Sequence, residues 1–174
     1  MSDVENYLEM LCETHRQCYA RGSQGRSDWE YLCMEEFVLK EGQMFNNILT
    51  ELPDDVPKGP PKMCFQNCML AISWPSSLSE ASNYFYCEGY ALGSVLPMLH
   101  AWLVTPEGKV VDPTWPEPGS EYFGVAFKGG WAKRQTLKQE SYGLLDAWTS
   151  EWPLLRGIDP EEWKANLNLI EENV

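Results

Sequence analysis

Histidine is nearly missing from this 174-residue chain: there are two, His15 and His100. Any chemistry that needs an imidazole near neutral pH must use one of them. Basic residues are scarce too, 13 Lys and Arg against 26 Asp and Glu, a net charge of −13. Such a surface repels phosphate backbones and anionic lipid headgroups, so no nucleic acid and no membrane is expected as a partner. No apolar run approaches the roughly 20 residues of a membrane-spanning helix. The opening "MSDVENYLEM" is acidic and amphipathic, unlike a secretion signal. The expectation is a cytoplasmic chain whose six cysteines are reduced thiols. Zinc spacings are missing as well. Cys64 and Cys68 stand four apart, with no second Cys/His pair to complete a tetrahedron. No metal and no cofactor is expected. There is no phosphate-binding Gly loop, no dinucleotide fingerprint and no internal repeat.

What is present is apolar and aromatic material, 44 % hydrophobic with eight Trp and eight Tyr. That suits one globular domain over 1–174. Val4, Tyr7, Leu8, Leu11, Cys12, His15, Cys18 and Tyr19 recur at helical spacing. A Gly/Ser turn ends that helix. Ser27 or Asp28 can cap a second one, over 29–40, with Trp29, Leu32, Cys33 and Phe37 inward. "LPDDVPKGPPK" reads as an extended connector. "CFQNCMLAI" predicts a short helix, and "WPSSLSEASN" a turn region. "YFYCEGYAL" predicts a strand with Tyr84, Tyr86, Glu88 and Tyr90 on one face, and "YFGVAF" another strand. "SYGLLDAWTSEW" and "IDPEEWKANLNLI" predict helices, the latter capped by Asp159 with Pro160 at its first position. The expected class is α+β, helices packed on a small antiparallel sheet. Helices fill 1–47 and 135–174 around a core at 60–127.

The stretch "MLHAWLVTPEGKVVDPTW" carries His100 and Asp112. Pro106 and Gly108 in Thr105-Pro-Glu-Gly108 favour a type I turn with Gly in the left-handed position. That register pairs Thr105 with Lys109. It puts His100, Trp102, Val110 and Asp112 on one face. His100 and Asp112 are then diagonal neighbours within side-chain reach. A carboxylate beside a histidine fixes its tautomer and stabilises its imidazolium. On the hairpin alone, a buried structural pair and a catalytic pair are equally compatible.

Pro60 and Pro61 stop the next helix from starting much earlier, which places Cys64 at its first turn. Unpaired backbone N–H groups and the helix dipole favour a thiolate there, and an oxyanion on a bound carbonyl. Cys68 falls on the buried stripe. Cys12, Cys18, Cys33 and Cys87 read as packing residues, and His15 as a core histidine.

Cys at a helix start, then His and Asp on successive strands, resembles the papain-like thiol arrangement. "HAWLV…GKVVDPTW" resembles its transglutaminase-like branch in particular. The matching positions are Cys64, His100 and Asp112. An aromatic residue usually follows the family's Cys, often Trp; here it is Phe65. The resemblance spans about residues 60 to 127. It implies a papain/transglutaminase-like fold and acyl transfer through a thioester on Cys64. That covers amide hydrolysis, as in a peptidase or deamidase, or exchange to an amine, on a protein, peptide or small acyl substrate. Substrate-binding candidates are Gln66, Asn67, Glu88, Trp102 and Trp115. The alternative is a non-catalytic acidic module on the same fold that binds another protein, for example as an inhibitor or decoy.

Overall fold

A computed structural model describes residues 1–21, 29–73 and 83–167. The expected turn at 22–28 with its caps Ser27 and Asp28, most of the 74–83 turn and the end of the last predicted helix lie outside them. Helix α1 (Asp3–Arg21) opens with a reciprocal cap. Glu5 N donates to Ser2 Oγ, and Ser2 N donates to Glu5 Oε2. Val4, Leu8 and Cys12 form its buried stripe. Cys18 is exposed, which corrects its assignment to the core.

Helix α2 (Met34–Glu41) starts later than position 29. The N–H groups of Glu30 and Tyr31 both donate to Leu155 O, so that segment is tied to a distant loop and cannot enter the helix ladder. Cys33 caps α2 without a side-chain bond, and Glu36 reaches back to accept from Leu32 N. Gly42 ends the helix.

Next come strands β1 (Gln43–Phe45) and β2 (Asn47–Ile48), which the sequence reading missed. Helix α3 (Cys64–Ser73) leads to β3 (Phe85–Leu92), β4 (Pro97–Val104), β5 (Lys109–Val111) and β6 (Glu121–Phe127). The sheet order is β1-β6-β3-β4-β5-β2. Its two edge strands are consecutive in the chain with only Asn46 between them, so the sheet must curl nearly closed. It is antiparallel except for β2, which runs parallel to β5.

One face of this curl packs on the helices through Tyr86, Tyr90, Leu103, Phe123, Val125 and Phe127. The other encloses Phe45, Cys87, Trp102, Val110 and Tyr122. Burying each large side chain stabilises the fold by about 1.5–3 kcal/mol.

The C-terminal part departs most from expectation. Helix α4 (Gly129–Gln139) precedes both helices predicted for this part and overlaps the expected helical stretch only from 135. "SYGLLDAWTSEW" is no α-helix and holds only a 3₁₀ turn at Trp148–Ser150. Its Leu144 and Leu145 N–H groups are drawn onto the buried Glu88 carboxylate, which competes with helix hydrogen bonds. Helix α5 (Pro160–Trp163) starts as predicted, with Asp159 Oδ1 accepting from Glu161 N. It stops after one turn because Ala165 N donates to Ala126 O at the sheet edge.

Candidate active site

The hairpin forms in the register that the turn residues dictate. Thr105 N donates to Lys109 O, Gly108 N donates to Thr105 O, and Gly108 sits at φ 82. Leu103 pairs with Val111 and Val104 with Val110, so His100 and Asp112 emerge on the enclosed face. His100 Nε2 lies 2.8 Å from Asp112 Oδ2. A carboxylate only accepts, so Nε2 carries the proton and donates. That leaves Nδ1 without a proton, and Cys64 is the other group that acts on the ring, raising it together with Asp112.

Burial by itself would push His100 down. The hydrogen bonds to Asp112 and Cys64 and the Asp112 charge outweigh it and lift His100 to about 8. Burial would raise Asp112, but His100 and two backbone N–H groups hold it below its ordinary value.

Asp112 is fully engaged. Oδ1 accepts from Thr114 N at 2.8 Å and Trp115 N at 3.1 Å. Oδ2 accepts from His100 and, at 2.8 Å, from the Tyr122 hydroxyl, which itself accepts from Gly119 N. Tyr122 escaped the sequence reading. Its only signal was a polar-tipped aromatic sharing a strand face with Gly124 and Ala126.

Cys64 is the first residue of α3. Asn67 N makes the first helical bond, to Met63 O, so the N–H groups of Cys64, Phe65 and Gln66 have no helical partner. Just before it, Lys62 takes a left-handed φ of 65, a conformation uncommon outside glycine, and turns the chain from Pro60-Pro61 into the helix. Cys68 lies one turn on and is completely buried. Burial pushes its thiol well up, and the neighbouring Asp112 and Cys64 add to the rise.

The loop before Cys64 is laced to the loop after Asp112. Gly59 N donates to Pro113 O at 2.8 Å, and Lys58 Nζ donates to Trp115 O. Asn67 Nδ2 donates to Pro60 O and to Thr114 Oγ1, each at 2.9 Å. A Cβ on Gly59 would come within 2.4 Å of the Asn67 amide, so only glycine lets the loops close this far.

These contacts sort the substrate-binding candidates. Asn67 spends its amide as a clamp and is not free to meet a substrate, which corrects its expected role. Glu88 is corrected as well. It projects from the opposite sheet face to His100 and accepts from Tyr86 Oη, Leu144 N and Leu145 N. Burial nonetheless raises it to about 7. Trp102 is fully buried against Phe45 and Tyr122, so it is core and not a cleft wall.

Gln66 is half-buried beside Cys64, and its amide has no hydrogen-bond partner among the described residues. Trp115 stacks on His100 with centroids 4.0 Å apart and planes 21° apart. With Asp112, Leu49, Leu52 and Lys58 it lines a groove of about 310 Å³. A larger groove of about 700 Å³ between α3 and α4 is lined by none of Cys64, His100 and Asp112. The smaller groove is the one beside the chemistry.

Cys64 and His100 are themselves 8 % and 2 % exposed, so the thiol and ring are sheltered from bulk water. No helix among the described residues is long and apolar enough to cross a membrane. No protein family, curated protein or solved structure matches the chain.

Proposed function

We propose that the protein is a cysteine-dependent acyl-transfer enzyme with a papain/transglutaminase-like core. Cys64 is the nucleophile, His100 takes and then returns the proton, and Asp112 holds the imidazole in place. The observation that carries this reading is the buried His100–Asp112 bond at 2.8 Å, with Cys64, at the start of a helix, as the other group acting on the ring.

In the first half-reaction Cys64 Sγ attacks the acyl carbon while its proton passes to His100 Nδ1. The carbonyl oxygen becomes an oxyanion that the free N–H groups at the start of α3 can meet. Collapse of that intermediate breaks the bond to the leaving amine, which departs with the proton from His100, and leaves a thioester. Water or an amine then attacks the thioester, loses its proton to His100, and restores the thiol.

The test is intact-mass analysis after incubation with an activated acyl ester. One acyl group per chain, on Cys64, released faster by water or by an added amine, supports the reading. The faster acceptor separates a hydrolase from a transferase. Failure of any activated ester to acylate Cys64 in the folded protein contradicts it and favours a binding module.

A further inference from the structure

A second cluster of reactive side chains lies between α1 and α2, away from His100. His15 Nε2, Cys33 Sγ and a Glu35 oxygen all lie within 4.8 Å of one another. Glu35 is 6 % exposed, and its Oε2 is buried and makes no well-formed hydrogen bond. The other oxygen, Oε1, accepts from Tyr90 Oη at 2.7 Å. Tyr90 thus orients the carboxylate and leaves Oε2 facing the cluster, 3.5 Å from His15 Nε2. Cys12 lies next to the cluster, its Sγ 3.8 Å from Cys33 Sγ, but outside the set of mutually close donors.

The nearby cations are engaged elsewhere: Lys40 with Glu36, and Arg16 with Glu13 and Glu36. A buried carboxylate oxygen with no hydrogen bond, 3.5 Å from an imidazole nitrogen and close to a thiol, is placed as a metal ligand would be. We propose that His15, Cys33 and Glu35 form a three-ligand zinc site that ties α1 to α2, with water as the fourth ligand of the tetrahedron.

The spacing fits the ion. Zinc bonds of about 2.3 Å to sulfur and 2.0–2.2 Å to nitrogen or oxygen set tetrahedral nitrogen and oxygen donors about 3.4 Å apart. The observed separation of His15 Nε2 and Glu35 Oε2 is 3.5 Å, and the three donors all lie within 4.8 Å of one another. Thiol and imidazole donors select zinc over magnesium or calcium. The Tyr90 hydroxyl supplies the outer hydrogen bond that carboxylate ligands need. A groove lined by Cys12, Glu9, Glu13 and Arg16 gives the ion a way in. The sequence hid the site because its donors pair a single His on one helix with Cys-x-Glu at the start of another.

The test is titration of the reduced, metal-stripped protein with Co²⁺, followed by displacement with Zn²⁺. One Co²⁺ per chain is expected, with a thiolate charge-transfer band and the intense visible bands of a tetrahedral ion. His15→Ala, Cys33→Ser and Tyr90→Phe should each weaken binding by about ten-fold or more. His15 is partly exposed on a helix, so its Ala variant keeps the fold. Cys64→Ser should leave binding unchanged, which separates this site from the proposed catalytic one. Bound Zn²⁺ should also protect Cys12 and Cys33 from oxidation to a disulfide. No saturable cobalt–thiolate spectrum, a spectrum indifferent to His15 and Cys33, one lost with Cys64→Ser, or equal oxidation with and without Zn²⁺ would each overturn the proposal.

Discussion

Among the described residues there are two thiol–imidazole–carboxylate clusters, and they are wired differently. At Cys64, His100 and Asp112 the imidazole stands between the other two groups. Both Asp112 oxygens are already filled, by His100, Tyr122 and two backbone N–H groups. At Cys33, His15 and Glu35 one carboxylate oxygen has no well-formed hydrogen bond, and the donor atoms crowd together. A serial arrangement can pass a proton along it, whereas converging donors can hold an ion. The same three residue types are therefore proposed to carry different chemistry, set by which lone pairs their surroundings have already used.

Breaking the serial cluster at its ends should have the largest effect. Cys64→Ser is expected to abolish acylation, and His100→Ala to slow it on the order of a hundred-fold or more. Neither should alter cobalt binding at the other cluster. Intact-mass acylation and the cobalt spectrum, read on the same samples, check both halves.

Asp112→Asn comes next. Its amide can hydrogen-bond the wrong imidazole tautomer, so acylation should fall on the order of ten- to a thousand-fold, less than for a hydroxyl nucleophile because a thiol needs less help. The loss of the Asp112 charge should also drop His100 from about 8 toward its ordinary 6.5. The sign for stability follows. His100 sits above its unfolded value, so its contribution is present below about pH 6.5 and is lost as pH rises through about 8. In the Asn variant that loss should flatten. With only two histidines in the chain, ring NMR against pH reads both effects directly. An unmoved His100 titration would show that Asp112 does not set it.

Tyr122→Phe should have a smaller effect. It removes a hydrogen bond to Asp112 and orphans Gly119 N, at a cost of about 1–3 kcal/mol in denaturant unfolding. Acylation should slow less than in Asp112→Asn, because Thr114 N and Trp115 N still hold the carboxylate. A loss as great as that of Asp112→Asn would make Tyr122 a direct participant.

Glu88→Gln should leave acylation nearly unchanged, since Glu88 lies across the sheet. It should change stability instead. Glu88 titrates near 7, above its ordinary 4.5, so its contribution favours the fold below about pH 4.5 and is lost as pH rises through about 7. The Gln variant should lack that segment of the pH–stability curve. A large change in acylation would return Glu88 to the site.

The hairpin and the Cys64 helix start were legible because local rules decide them. Pro106 and Gly108 fix a turn, and the turn fixes which face His100 and Asp112 share. Pro60 and Pro61 bar an earlier helix start. What was not legible depends on long-range partners. Glu88 looked like a site residue because a lone carboxylate on an aromatic face gives no hint of Leu144 and Leu145, more than fifty residues away, that consume it. The same capture unmade the predicted helix at 141–152. Trp102 and Trp115 read alike in sequence, yet one fills the sheet interior and the other covers His100. The α2 start was misjudged for a similar reason, since Leu155 O claims the N–H groups of Glu30 and Tyr31.

Peptide-resolved labelling of the native protein by a thiol electrophile across pH tests the central claim most directly. Cys18 is exposed and will label as an ordinary surface thiol, so each cysteine must be followed separately. The account expects Cys64, despite its shelter, to react faster than Cys68, Cys87 and Cys18 at neutral pH, and to lose that advantage in His100→Ala. A Cys64 that reacts no faster than Cys68, with a rate indifferent to His100, would contradict it.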